Sequence, residues 1–225
     1  MLIRFFLQTS IWLSAMATLL FVPAGTTAWP EAWIFLGIIG GVGAAAGLWF
    51  ARHDPGLLKE RLSSPFQAGQ PAWDKAILSL FFVLYLGAFV VMGLDAVRWR
   101  ATVMPVWAEA AGAVCILVSY AIIWRVLAEN SFAAPVVRIQ AERGQRIVTT
   151  GPYAIVRHPM YGGAILFLLG TPLLLGSSYG LVFVPLLVLL LAIRSVFEER
   201  ALADGFSAYA AYAEKVEYRL VPFVW

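Results

Sequence analysis

The stretch 161-YGGAILFLLGTPLLLGSSYGLVFVPLLVLLLAIRSVF-197 holds two apolar runs, Tyr161–Leu175 and Leu181–Phe197. Gly176-Ser177-Ser178 breaks the first run, which is short, from the second. Gly-Ser clusters between apolar segments are turn signals, so the pair reads as a tight antiparallel helical hairpin. The fold depends on that hairpin. With it, the chain crosses a bilayer about six times and both ends lie on one side. With five crossings, the C-terminal segment is sent to the other side.

Outward from the hairpin, four more apolar runs precede it: Phe5–Val22, Trp33–Ala51, Ala76–Leu94 and Val106–Leu127. Each suits a helix of about 20 residues, the length needed to span the hydrocarbon core. Basic residues test the six-crossing count. Fourteen of the sixteen Lys and Arg residues fall on the side of the N-terminus, and only Arg98 and Arg100 fall on the other. By the positive-inside rule the termini and the two long loops face the cytoplasm, and the expected location is a bacterial inner membrane. Charged residues make up 13% of the 225, against about 25% in soluble domains. The class is therefore an all-α polytopic membrane bundle, a single integral membrane domain over residues 1–225.

Composition excludes several functions. A net charge of +3 with scattered basic residues does not suit nucleic acid. Two histidines and one cysteine, Cys115, are too few for a zinc centre, and Cys115 reads as a packing residue. The first run resembles a signal peptide in its flanks but is long enough to span, so it is expected to be retained. Glycines 37, 41, 43 and 47 form two G-xxx-G pairs, read as close packing within the bundle, with oligomeric state left open. The loop 52–75 sets leucines 57, 58 and 62 between charges and reads as a short interfacial helix. His53 and Asp54 in it read as a solvated surface pair.

Ionisable residues concentrate at the cytoplasmic ends of the last spans. Arg194 and Glu198 are four apart on one helical face and suggest an intrahelical ion pair. Glu199 follows at once, and the hairpin brings Arg157 and His158 alongside. Arg157 alone reads as a snorkelling side chain. Gly151-Pro152 marks a turn, and Pro159 fits the first turn of a helix, whose free amides and dipole attract an anion. Ionisable groups that meet inside a membrane protein usually mark a site. A ligand with a carboxylate, hydroxyls and a positive centre fits this pattern, and S-adenosyl-L-methionine is such a molecule.

Three segments in order carry a resemblance: GQRIVTTGPYAIVRHPMYGG (144–163), RSVFEERAL (194–202) and FSAYAAYAEKVEYRLVP (206–222). They resemble the isoprenylcysteine carboxyl methyltransferase family, and more broadly the membrane methyltransferases that include phospholipid N-methyltransferases. LLKERL (57–62) is similar to the family's bacterial members. The resemblance covers Asn130 onward, and residues 130–225 are expected to carry the cofactor region. It implies S-adenosyl-L-methionine held between the last helices and the cytoplasmic loops, touching Gln145, Arg146, Ile147, Val148, Tyr153, His158, Pro159, Met160, Tyr161 and Glu198. Gln140 and Glu199 are further candidates for that site. Arg194, and as a second candidate Arg219, would contact the reacting group of the acceptor. The implied reaction is methyl transfer to a carboxylate or amine of a lipidic, isoprenoid or small amphipathic acceptor drawn from the membrane lipid.

Two other functions fit the same architecture. Membrane sterol and ene reductases share an arginine-histidine-proline segment and use NADPH, whose 2′-phosphate Arg138, Arg143 and Arg146 would serve. A non-enzymatic assembly or transport protein would need polar residues at mid-span, and the sequence has almost none.

Overall fold

The computed structural model describes residues 1–67 and 69–225. Nine α-helices are present among them: α1 (Leu2–Ala24), α2 (Pro30–His53), α3 (Pro55–Arg61), α4 (Ala72–Gly93), α5 (Val106–Glu129), α6 (Pro159–Leu174), α7 (Ser178–Leu181), α8 (Phe183–Gly205) and α9 (Tyr209–Lys215). A π-helical turn, Leu94–Trp99, extends α4. Helices α1, α2, α4 with its π turn, α5, and α7–α8 taken together are long and apolar enough to cross a membrane. Helix boundaries follow local chemistry. Proline opens α2, α3 and α6, where its missing N–H has no partner to lose. Asp54 caps α3 by accepting from the Leu57 amide at 2.9 Å, and left-handed Gly25 ends α1.

Helix α6 has 16 residues, a rise of about 24 Å against a hydrocarbon core of about 30 Å. It nonetheless runs the length of the bundle. Its first residues meet the end of α8, where the Tyr161 hydroxyl donates to Glu198. The turn after it reaches the opposite end, where fully buried Asp95 accepts from the Ser177 hydroxyl (2.6 Å), the Thr102 hydroxyl and the Tyr179 amide. The hairpin is therefore real. Arg4 donates to the Leu62 carbonyl, and the His158 amide donates to the Arg219 carbonyl. Both ends of the chain thus lie at the end of the bundle that carries α3 and the start of α6.

Lipid tails are as apolar as leucine, so helix association in a membrane rests on close packing. Here the most extensive contact is between α5 and α6. A Cβ on Gly170 would stand 2.6 Å from the Gly112 carbonyl and 2.9 Å from Cys115 Cβ. The main core lies toward the other helices, where Leu20, Phe35, Phe89, Ile116 and Leu175 are fully buried together. Helix α1 supplies Met16, Leu20 and Phe21 to it and is part of the fold.

Two expectations change. Of the four glycines in the two G-xxx-G pairs, Gly47 packs within the bundle, against the Phe5 ring, while Gly37, Gly41 and Gly43 face open space. The 52–75 loop also does not rest its leucines on lipid. Leu57 and Leu58 are buried against Phe5 and Phe50, because the short α3 folds back under α1 and α2. Asp54 is tied up as a cap and as acceptor for the Ser131 hydroxyl, and His53 stacks on Trp49.

Candidate active site

A cavity of about 420 Å³ opens where the ends of α6 and α8 meet α9 and the segment 130–158. Its walls include Gln145, Arg146, Ile147, Val148, Tyr153, His158, Pro159, Met160, Tyr161, Arg194 and Glu198. Residues more than 50 positions apart in the chain thus share one space. Gln140, Glu199 and Arg219 do not line it. Gln140 is buried behind the wall, where it donates to the Phe132 carbonyl (2.7 Å) and accepts from Arg143 (2.5 Å).

At the deep end of the cavity is a charged chain that the sequence did not suggest. Arg194 and Glu198 are not directly paired. Arg194 Nε donates to Asp74 Oδ1 (2.7 Å), its Nη1 to the Tyr161 hydroxyl (2.6 Å) and its Nη2 to the Pro135 carbonyl (3.1 Å). The Tyr161 hydroxyl then donates to Glu198 Oε2 at 2.7 Å. Asp74, in the first turn of α4, is fully buried and also accepts from Gln70 (2.7 Å) and the Val137 amide (3.0 Å). A guanidinium has five N–H donors; three are spent in these bonds, so two remain for a ligand. Glu198 lines the same space, and its Oε1 has no partner among the described residues.

Glu199, the other glutamate, is already satisfied. It accepts from Arg157 Nη1 (3.0 Å) and from Arg219 Nε (3.1 and 3.2 Å), and it lies 3.3 Å from His158 Nε2. This corrects the snorkelling expectation for Arg157, whose side chain is 11% exposed and held inward. Arg219 also caps the Trp225 ring at 5.1 Å, so it braces the C-terminal segment. The amides of Arg157 and His158 donate to the Tyr218 and Arg219 carbonyls, and Gly162 leaves room for the Leu220 carbonyl. His158, 7% exposed, stacks parallel to Tyr161 with ring centres 5.5 Å apart. The expected anion nest at the start of α6 is reduced. Pro159 has no N–H, and the Tyr161 and Gly162 amides return to the His158 carbonyl, leaving Met160.

The outer wall is aromatic. The Tyr153 hydroxyl accepts from Asn130 (2.8 Å), and burial, outweighing that bond, pushes its pKa up to about 12. Tyr212 donates to the Tyr153 carbonyl at 2.8 Å. Tyr209 is 4% exposed and lines the cavity, yet its hydroxyl has no partner among the described residues. Burial raises its pKa as well, so the hydroxyl keeps its proton as a buried donor without a partner, which costs free energy. Sequence reasoning missed Asp74, Asn130, Tyr209 and Tyr212. Tyr209 and Tyr212 stand three apart on one face of a short helix, a signal that was present; Asp74 offered only an acidic residue at the start of an apolar run.

A family likeness covers most of the segments that build this site. Residues 107–209 match the phospholipid methyltransferase family model. Protein-S-isoprenylcysteine O-methyltransferase B of Arabidopsis thaliana is 33% identical over 90 residues, 39% of this chain and 45% of that protein. The match thus spans a little under half the length of that curated relative. These findings support a family like the isoprenylcysteine methyltransferases, as the RHPMY and RSVFEER segments implied.

Proposed function

Taking the chain as similar to membrane methyltransferases of the isoprenylcysteine and phospholipid type, we propose that it is an integral membrane, S-adenosyl-L-methionine-dependent enzyme that methylates a carboxylate on a lipidic or amphipathic acceptor. The observation that carries this is the Asp74–Arg194–Tyr161–Glu198 chain at the back of the cavity. It presents a cation and an unpaired carboxylate oxygen side by side at the border between apolar helices and the charged end of the bundle.

The residues present fit the donor. Tyr153, Tyr209 and Tyr212 supply flat apolar surface suited to an adenosine. Glu198 suits a diol or a positive centre. When bound, S-adenosyl-L-methionine supplies an electrophilic methyl group, whose bond to sulfur breaks as a bond to oxygen forms. A carboxylate acceptor would need no proton removed, so the chain's residues would have only to hold and orient it. The two remaining N–H groups of Arg194 hold the acceptor's carboxylate in line. Catalysis then rests on position and on exclusion of water. An amine acceptor would instead need a base, a role open to the unpaired oxygen of Glu198; a carboxylate acceptor needs none and uses the free N–H groups of Arg194. For the NADPH alternative, two of the three arginines are committed: Arg138 to Glu60 and Glu142, and Arg143 to Gln140. With the basic residues gathered as they are, the cavity faces the cytoplasm in this proposal.

Titration of purified protein in detergent with S-adenosylmethionine, S-adenosylhomocysteine and NADPH tests the proposal. The first two should bind, and Glu198→Ala should weaken both about tenfold or more. Preferential binding of NADPH would overturn it.

A further inference from the structure

A second cavity, about 540 Å³, lies between α1, α2, α5 and the residues after α3. The size is in the range of small-molecule sites, about 300–1,000 Å³. Its floor is apolar, built by Leu13 and Met16 of α1 and Ile39 of α2, with Tyr120 on one side. Trp12, half exposed, forms an edge and stacks on Phe82 of α4. Its rim is polar and cationic, with Arg4 and Arg61. No carboxylate lines the cavity among the described residues. Neither arginine has an ion-pair partner there either: Arg4 donates to the Leu62 carbonyl (2.7 Å), and Arg61 to the Ala133 carbonyl (3.4 Å).

Arg61 also reaches two residues that line the first cavity, without lining it itself. Its Nη1 lies 3.8 Å from Met160 Sδ, and both Met160 and Ala133 line that cavity. Two guanidiniums without counter-charge above an apolar floor are complementary to an anionic headgroup on a hydrocarbon chain.

We propose that this second cavity is the chain-binding half of the acceptor site, and that its occupant is a long-chain carboxylate whose head is received by Arg61 and passed to Arg194. The assignment rests on the methyltransferase proposal for the first cavity. In it, α1 and α2 select the acceptor, and the α6–α8 end carries the chemistry. A long-chain amine is repelled by Arg61, and a methyl ester lacks the charge that holds it.

The test uses the full chain in detergent and a fluorescent C16 carboxylate, its methyl ester and the matching amine, with S-adenosylhomocysteine binding measured separately. The carboxylate should bind at least tenfold more tightly than the ester or the amine. Arg61→Ala should remove that preference and Arg61→Lys restore part of it. Ile39→Trp should block the carboxylate while leaving S-adenosylhomocysteine binding within twofold. Equal binding of the three probes, or no effect of Arg61→Ala, would overturn the proposal. Loss of S-adenosylhomocysteine binding by the wild type would instead overturn only the function of the first cavity. Because a variant can misfold, a diazirine-bearing C16 carboxylate is also crosslinked to the wild type. Labelling should fall on α1 and α2 peptides, and labelling confined to other helices would refute the assignment.

Discussion

Removing Asp74 would leave Arg194 buried without a counter-charge. Breaking a buried ion pair from one side costs about 3–5 kcal/mol, so Asp74→Ala should lower the thermal unfolding temperature in detergent markedly. Asp74→Ala combined with Arg194→Met should recover a large part of that loss, since neither charge is then stranded. Tyr161→Phe keeps the ring against His158 but deletes the hydroxyl between Arg194 and Glu198. Hydrogen bonds to charged groups contribute about 1.5–3 kcal/mol, so affinity for S-adenosylhomocysteine should fall about tenfold or more. Unchanged affinity would place the charged chain outside the ligand site. Tyr153 adds a pH signature. Its pKa is raised from 10.0 to about 12, so the folded state holds the proton more tightly than the unfolded state. The stability this supplies is fully present below pH 10 and is lost as pH rises toward 12. Tyr153→Phe should flatten that part of the alkaline unfolding curve, measured by near-UV circular dichroism.

At the scale of elements, the α5–α6 crossing decides where the site forms. Helix α6 starts with His158 and Tyr161 in place because Gly170 lets its backbone lie against Gly112. Gly170→Ala puts a methyl 2.6 Å from a carbonyl oxygen, and overpacking of this kind costs about 1–3 kcal/mol. Gly37→Ala on α2 meets nothing within 4 Å and should be neutral or stabilising, by up to about 1 kcal/mol of helix propensity. Thermal unfolding of the two variants side by side checks the contrast. Equal destabilisation would mean that α2 packs its glycines as tightly as α6. Helix α9 acts differently: it is short, and it brings Tyr209 and Tyr212 over the cavity as an aromatic cover.

For the whole molecule, the hairpin and the basic residues make one joint prediction about topology. Reporter fusions at either terminus should be active in the cytoplasm, and one inserted within residues 100–104 should be exported. Opposite signals from the two termini would contradict a path in which α6 runs the length of the bundle between the Glu198 and Asp95 contacts. Much of this was legible in the chain itself. Hydropathy and the Gly-Ser-Ser break determined an all-helical membrane bundle with a terminal hairpin, because span length and turn chemistry are local properties. Those properties also determined that RHPMY and RSVFEER meet at one end. Only the tertiary structure decided which charges pair. Arg194 takes Asp74, 120 residues away, rather than Glu198 one turn along its own helix, since a buried guanidinium is stabilised by whatever donors and acceptors the packing places in its plane. The same packing turned Glu199 toward two guanidiniums and the His158 ring and left Tyr209 without a partner. No spacing in the sequence distinguishes those two adjacent glutamates, because their difference arises from neighbours contributed by other helices.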